Sequence, residues 1–365
     1  RIVSGRGCLR DFANINQFGK RCLIVTGKSS AKVSGVLADA EALLSKTGIS
    51  YQIFDAIEPN PLLETVYRGG KAAREFGADF LIGIGGGSPL DAAKAVGIFA
   101  TNPDMAPEEI FTSPRKDALP LLAVPTTAGT GSEVTPYSIL TVPSIENKKS
   151  VAGDDLYPKV AFLDPDYTKS MPVSVTFSTG VDALSHAVEG FFMKKASLVS
   201  DALARTAIPL LAKGLRQAAA AQSASDISDE TREMLLYGSA LAGMVISRTG
   251  TGFVHSTGYM LTYYHDVPHG HANAYFLADF VAFMEKASPE RAREIYALCQ
   301  VKNADELFAL ISSCNAMPLD MKLPSERLSY YAERTIGTKN VANGLAAITE
   351  EELLAVLRRR LGETA

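Results

Sequence analysis

Tryptophan is absent from the 365 residues, and cysteine occurs only four times. Cys8, Cys22, Cys299 and Cys314 are scattered, with no C-x-x-C pair and no framework spacing. That argues against a disulfide scaffold and fits reduced thiols in a cytosolic protein. No apolar run approaches the roughly 20 residues that a membrane helix needs. No signal-peptide pattern opens the sequence, which begins at Arg1. A cytoplasmic location without a membrane partner is therefore expected. Excess positive charge is missing too: 36 Lys and Arg stand against 40 Asp and Glu, a net charge of −4, so there is no electrostatic reason to expect nucleic acid. Histidine is scarce, at five residues, yet His255, His265, His269 and His271 crowd one short stretch.

What is present is ordinary for a globular chain, at 47% hydrophobic and 21% charged. The length exceeds what one hydrophobic core usually serves, so two domains are expected. Up to about residue 165, short apolar runs alternate with helical patterns, which predicts βαβ units on a mostly parallel sheet. Candidate strands are 21–26, 51–54, 79–84, 120–125 and 160–164, with helices over 33–47, 62–76 and 89–100. Beyond Met171 only helical stretches follow, over 176–192, 200–220, 229–247, 252–264, 273–286, 289–299 and 349–361. Thr349 and Glu352 form a capping signal for the last of these. The expected organisation is an α/β dinucleotide-binding domain over 1–168 and an all-helical domain over 169–365.

Two turns carry the cofactor expectation. Gly83-Ile-Gly-Gly-Gly-Ser-Pro-Leu-Asp91 follows an apolar strand and opens a helix. Consecutive glycines allow close backbone approach, Ser88 is placed as N-cap with Pro89 at the first helical position, and free N–H groups there suit a pyrophosphate. The third glycine of the usual dinucleotide fingerprint is absent. After the next strand, Pro125-Thr-Thr-Ala-Gly-Thr-Gly-Ser-Glu-Val-Thr135 offers hydroxyls and bare backbone at the carboxyl edge of the sheet, where open α/β sheets bind ligands.

The helical half carries a metal pattern. Asp182 and His186 stand at i,i+4 and share a helix face. Alone, that pair is commonly a solvent-facing Asp beside a helical His. His255 lies in a second helical run, and His269 sits between Pro268 and Gly270, which fix the direction of its ring. One carboxylate and three imidazoles suit a divalent ion with open positions, acting as a Lewis acid on an alcohol or carbonyl. The donor types do not choose between Fe²⁺ and Zn²⁺. His265, among polar residues, and His271 rank below these four.

Taken in order, GIGGGSPLDAAKA (83–95), PTTAGTGSEVTPYSILT (125–141), FSTGVDALSHAVEG (177–190) and the His255 to Pro-His269-Gly spacing resemble the iron-containing (group III) alcohol dehydrogenases of the dehydroquinate-synthase-like superfamily, over essentially the whole chain. Members acting as alcohol or 1,3-propanediol dehydrogenases are the most similar. The resemblance implies the two-domain fold already expected, an active site in the cleft between the domains, and a dimer or larger homo-oligomer. It implies Asp182, His186, His255 and His269 as metal ligands, and Gly86, Gly87, Ser88 and Asp91 at the pyrophosphate. Thr126, Thr127, Thr130 and Thr135 fall along the adenosine-to-nicotinamide path, and Asn60 and Lys148 on cofactor-contacting positions. The implied reaction passes hydride between NAD(P)(H) and a small alcohol or aldehyde.

Two departures from the pattern carry information. NAD-preferring relatives often place an aspartate after the first strand; here Gly27-Lys28-Ser29-Ser30 offers a cation and two hydroxyls. That chemistry favours a 2′-phosphate, hence NADP(H) over NAD(H). Many relatives also carry a histidine four residues after the helical ligand, where this chain has Tyr259. A tyrosine ordinarily titrates near ~10 against ~6.5 for histidine, so Tyr259 is expected to shape the catalytic pocket with Tyr137 and Ile246, while the proton travels through water, His265 or ribose hydroxyls. Polyol, phosphonate-aldehyde and maleylacetate-type enzymes share the scaffold. Arg248 is the only cation in 180–192 and 245–271, which argues against an anionic substrate. The loss of any of the four ligands would favour a metal- or nucleotide-binding sensor that keeps the fold without turnover, and all four are present.

Overall fold

Every apolar run singled out in the first half is a strand. In the computed structural model, which describes residues 1–314 and 319–362, the chain divides into two units, Arg1–Met171 and Pro172–Ala365. The first contains β1 (Ile2–Ser4), β2 (Arg21–Gly27), β3 (Ser50–Ile57), β4 (Phe80–Gly85), β5 (Leu121–Pro125), β6 (Tyr137–Val142), β7 (Asn147–Ala152) and β8 (Val160–Leu163). Six strands form a parallel sheet in the order β1-β8-β5-β4-β2-β3. Helices α1 (Ser30–Val33), α2 (Val36–Lys46), α3 (Leu63–Phe76) and α4 (Gly87–Thr101) connect them.

The sheet is buried on both faces, which explains why its strands read as continuous apolar runs rather than alternating ones. Along β2, Cys22 and Ile24 join α2 in one core, while Leu23 and Val25 join α3 and α4 in another. The strand order reverses between β2 and β4, and crevices at such a switch point, outside the carboxyl ends of the strands, are where open sheets take ligands. Both the turn after β2 and the glycine turn after β4 open there.

The second unit is helical: α5 (Val173–Phe191), α6 (Leu198–Ala218), α7 (Asp229–Thr249), α8 (Phe253–His265), α9 (His269–Ala274), α10 (Leu277–Glu285), α11 (Pro289–Leu298), α12 (Ala304–Ser313), α13 (Ser325–Ile336) and α14 (Glu350–Leu361). No strand occurs in it among the described residues, and no helix is long and apolar enough to cross a membrane. The Thr349 hydroxyl accepts from the Glu352 N–H at 3.2 Å while Glu352 accepts from the Thr349 N–H at 3.1 Å, the reciprocal cap that starts α14.

Four features differ from the sequence expectation. The ribbon of β6 and β7 pairs antiparallel outside the main sheet; its half-buried strands lack the apolar run of a sheet interior. The stretch 273–286 is not one helix but breaks at Tyr275 and Phe276, which are buried side by side. Helices α12 and α13 were not anticipated. Finally, the N-cap of α4 is Gly86, not Ser88, because the Ser88 hydroxyl is used elsewhere, accepting from the Asn60 N–H at 3.1 Å.

Candidate functional site

From Gly180 to Phe191, α5 is buried on every side, so its polar side chains must find partners inside the fold. Asp182 finds histidines. Its Oδ1 lies 3.4 Å from Nε2 of His255 on α8, 3.8 Å from Nε2 of His269 at the start of α9, and 4.0 Å from Nε2 of His186 one turn along α5. The His186 ring stacks on His255 with centroids 4.5 Å apart. Donor atoms of Asp182, His255 and His269 all fall within 4.8 Å of one another. Groups bound at about 2.0–2.2 Å to one ion stand at such separations, and a carboxylate with three imidazoles suits Fe²⁺ or Zn²⁺. The residues present fit the implied metal.

Electrostatics point the same way. Burial works to raise the Asp182 pKa, but the attraction of His186, His269 and His255 outweighs it and holds the carboxyl well below the usual range. Burial likewise works against a charged His255, and Glu189 and Asp182 overcome it, pushing the ring up to about 9.

Around the cluster, Tyr259 lies flat against His269, with ring centroids 5.0 Å apart and planes within 14°. Thr262, on the same face of α8, approaches His269 Nδ1 at 3.5 Å. Asn273 of α9 donates its amide to Asp182 Oδ1 at 2.9 Å. Two other histidines face elsewhere. His265 Nε2 meets the Tyr331 hydroxyl at 2.7 Å, and His271 is edge-on to Tyr275. His265 Nε2 is thereby engaged with α13.

In the first unit the two cofactor turns interlock. Thr126 N–H donates to the Gly85 carbonyl at 2.9 Å. A Cβ on Gly87 would lie 2.5 Å from Thr130 Cγ2, and one on Gly86 would lie 3.1 Å from Thr127. The bare glycines thus let the threonine loop lie against the start of α4. Asn60, at φ 56°, joins the glycine turn to β7: its N–H reaches Ser88 and its Oδ1 accepts from Lys148 Nζ at 2.7 Å. Lys28 and Ser29 are exposed just beyond β2, with Gly27 half-buried at its end. Asp55 nearby is paired with Lys32 at 3.2 Å.

Asp91 and Thr135, expected along the cofactor, lie beside a buried lysine. Asp91 accepts from Ser132 Oγ at 2.5 Å and from the Ile139 N–H at 2.9 Å. Lys94 Nζ donates to Ser132 Oγ at 2.8 Å and to the Tyr137 carbonyl at 2.7 Å, and stands 3.5 Å from Thr135 Oγ1. This cluster ties α4 to the threonine loop and to β6. Sequence reasoning missed Lys94, Ser132, Asn273 and Glu189. A lysine inside the apolar run Ala92–Phe99 and a glutamate seven residues after Asp182 were the available signals.

Comparison with known proteins agrees with this geometry. Residues 1–165 match the iron-containing alcohol dehydrogenase family model, and residues 176–361 match that of the C-terminal domain of the Fe-containing alcohol dehydrogenase family. The chain is 33% identical to the NADPH-dependent butanol dehydrogenase of Clostridium saccharobutylicum, covering 90% of this chain and 84% of that one. It is 33% identical to the 1,3-propanediol dehydrogenase of Klebsiella pneumoniae over 94% of each. A solved iron-containing alcohol dehydrogenase from Thermotoga maritima superposes with a TM-score of 0.90 at 38% identity, covering 99% of this chain and 97% of that one. The fold is therefore dehydroquinate-synthase-like, and the chain belongs to the iron-containing alcohol dehydrogenase family, as an enzyme of nicotinamide-linked alcohol and aldehyde oxidoreduction.

Proposed function

We propose that the enzyme interconverts small primary alcohols and aldehydes, using Fe²⁺ held by Asp182, His186, His255 and His269 and preferring NADP(H). The observation that carries this reading is the approach of three imidazole Nε2 atoms to one oxygen of Asp182. A divalent ion there supplies Lewis-acid chemistry at a substrate oxygen, and the nicotinamide carries the hydride. Zn²⁺ suits the same donors. His269, with 23% of its side chain exposed against 2% for His255, marks the accessible edge of the cluster. Tyr259 walls that edge and holds the His269 ring in plane by stacking.

Cofactor binding falls to residues 1–168 in this reading, and metal binding to 169–365. Gly86, Gly87 and Ser88 receive the pyrophosphate; Thr126, Thr127 and Thr130 line the rest of the path; Asn60 and Lys148 complete it. Asp91 and Thr135 serve by holding that loop in place through Lys94. The turn Gly27-Lys28-Ser29 recognises a 2′-phosphate, and the NADPH in the name of the butanol dehydrogenase relative supports that. A small, weakly polar substrate fits the scarcity of cations, since Arg248 alone lies in 180–192 and 245–271. Four unpaired, buried cysteines support a reducing, cytoplasmic setting. A homodimer or larger assembly rests on the family resemblance, and light scattering would check it.

The deciding experiment is metal analysis of protein purified without added metal, followed by NADPH oxidation with a panel of short aldehydes. We expect about one iron per chain, turnover with several aldehydes, loss of rate on chelation, and recovery with Fe²⁺. Full metal loading without turnover on any aldehyde would overturn the reading.

A further inference from the structure

Glu189 is completely buried, and each of its carboxylate oxygens is engaged on α8. Oε1 accepts the N–H groups of Gly252 and Val254, each at 2.9 Å. Gly252 is the N-cap of α8 and has no side chain with which to cap it, so a carboxylate from α5 does that work. A Cβ at Gly252 would stand 2.9 Å from Oε1, so the bare residue is what admits the carboxylate. Oε2 meets His255 Nδ1 in a short contact. Capping alone would need only Oε1. The second oxygen, aimed at a ring nitrogen, calls for another explanation.

An ionised carboxylate only accepts. Its partner Nδ1 must therefore carry a hydrogen, so the proton that His255 gives up to hold a metal is the one on Nε2, which faces Asp182 at 3.4 Å. Asp182, His186 and Glu189 stand at i, i+4 and i+7 on α5, one face of one helix. That face thus presents two groups of the cluster together with the group that orients a third. We propose that Glu189 is a positioning residue: it fixes the Nδ1–H tautomer and the ring plane of His255, and so makes His255 competent to hold the metal. Carboxylates behind a ligating imidazole commonly change metal affinity by 10- to 100-fold.

The proposal rests on the metal reading above, and the test separates the two. Apo protein is titrated with Co²⁺ against a chelator, with the visible Co²⁺ spectrum and the dissociation constant as readouts. Glu189→Gln retains an oxygen for the two backbone N–H groups but turns an amide NH₂ toward Nδ1, which forces the hydrogen onto Nε2. We expect its Co²⁺ affinity to fall at least tenfold with an altered spectrum, while NADP(H) binding stays within twofold of wild type. Glu189→Asp, which keeps the charge, should recover part of the loss. An affinity for Glu189→Gln within threefold of wild type, or equal losses in both variants, would overturn the proposal. Wild-type protein that binds no Co²⁺ would instead sink the metal reading, and this proposal with it. Should Glu189→Gln fail to fold, ¹⁵N-histidine-labelled, Zn²⁺-loaded wild type supplies the answer: the His255 proton is expected on Nδ1, and finding it on Nε2 overturns the assignment.

Discussion

The Lys148 ammonium donates to Asn60 Oδ1 at 2.7 Å, across 88 positions of sequence. Asn60 holds a left-handed backbone at φ 56°, which asparagine tolerates and alanine resists at a cost of about 1–2 kcal/mol. Its N–H meanwhile reaches Ser88 Oγ. Lys148→Ala should therefore raise the cofactor KM about tenfold, roughly 1.4 kcal/mol, with kcat and metal content little changed. Asn60→Gly relieves the backbone strain yet removes Oδ1, so it should reproduce the KM effect without the lower melting temperature of Asn60→Ala. Steady-state kinetics and thermal unfolding on the three variants check this.

On the proposed preference for NADP(H), cofactor choice should turn on Lys28. It is exposed at the end of β2, and the acid nearest in the adjoining strand, Asp55, is engaged by Lys32. The wild-type kcat/KM should favour NADPH over NADH at least tenfold. Lys28→Ala should lower the NADPH value about tenfold, the scale of one charge-assisted phosphate contact, and leave NADH within twofold. A wild-type preference for NADH would refute the assignment.

Removal of His269 separates the two binding functions. The cofactor turns belong to Arg1–Met171 and the metal cluster to Pro172–Ala365. His269→Ala should lose activity by at least ~10³-fold, since only binding contributions to catalysis remain, and should lose bound iron on dialysis. Its NADP(H) dissociation constant, measured by fluorescence, should stay within about twofold of wild type.

How much of this could be read beforehand depends on how local the physics is. The main strands were legible because a sheet buried on both faces demands unbroken apolar runs, as in Leu23-Ile-Val25 and Phe80-Leu-Ile82. The cap of α14 was legible because Thr349 and Glu352 are three residues apart. The cap of α4 was not, because Ser88 spends its hydroxyl on Asn60, a partner that only the folded chain brings near. Asp182, His186, His255 and His269 stood out by chemistry and spacing, but Glu189 and Lys94 did not. A buried Glu or Lys looks like a surface residue until its tertiary partners are known. His265 is a further case: the hydrogen bond of its Nε2 to Tyr331, 66 positions on, could not be read from the sequence around it.

Glu133 gives a pH test of the threonine loop. Burial pushes its carboxyl up from 4.5 to about 7, with its own backbone N–H and Lys94 opposing, and Oε1 has no hydrogen-bond partner among the described residues. A raised folded-state pKa favours the folded state while the group is protonated. That contribution is full below about pH 4.5 and fades as pH rises through 7. Glu133→Gln, permanently neutral, should match wild-type stability near pH 5 and exceed it by up to about 3 kcal/mol at pH 7.5, at roughly 1.4 kcal/mol per unit. Urea unfolding at the two pH values measures the difference. A variant less stable than wild type at pH 7.5 would show that the ionised carboxylate is needed.

On the proposed metal site, Gly270 should set the geometry through packing. It follows His269 at the start of α9, and a Cβ there would lie 1.7 Å from the Ser178 carbonyl oxygen and 3.0 Å from Asp182 Cβ. The first contact is with the backbone of α5, so neither side can yield by a rotamer change. Alanine must push α9 away from α5, and His269 moves with it relative to Asp182. Overpacking of this kind costs typically 1–3 kcal/mol, but the larger effect should fall on the site, because an error of about 1 Å at a reacting centre can cost 10²-fold in rate. Gly270→Ala should therefore lose at least ~100-fold in activity and much of its iron while still folding. Gly258→Ala is the comparison: its Cβ would lie 2.2 Å from the Asn273 side-chain oxygen, so it should disturb the cluster only through the Asn273 bond to Asp182, with a smaller loss. Iron content and melting temperature of both variants decide the matter. A Gly270→Ala protein with full iron and full rate would mean that Pro268 and the stacked Tyr259, rather than the close approach of α9 to α5, hold His269 in place.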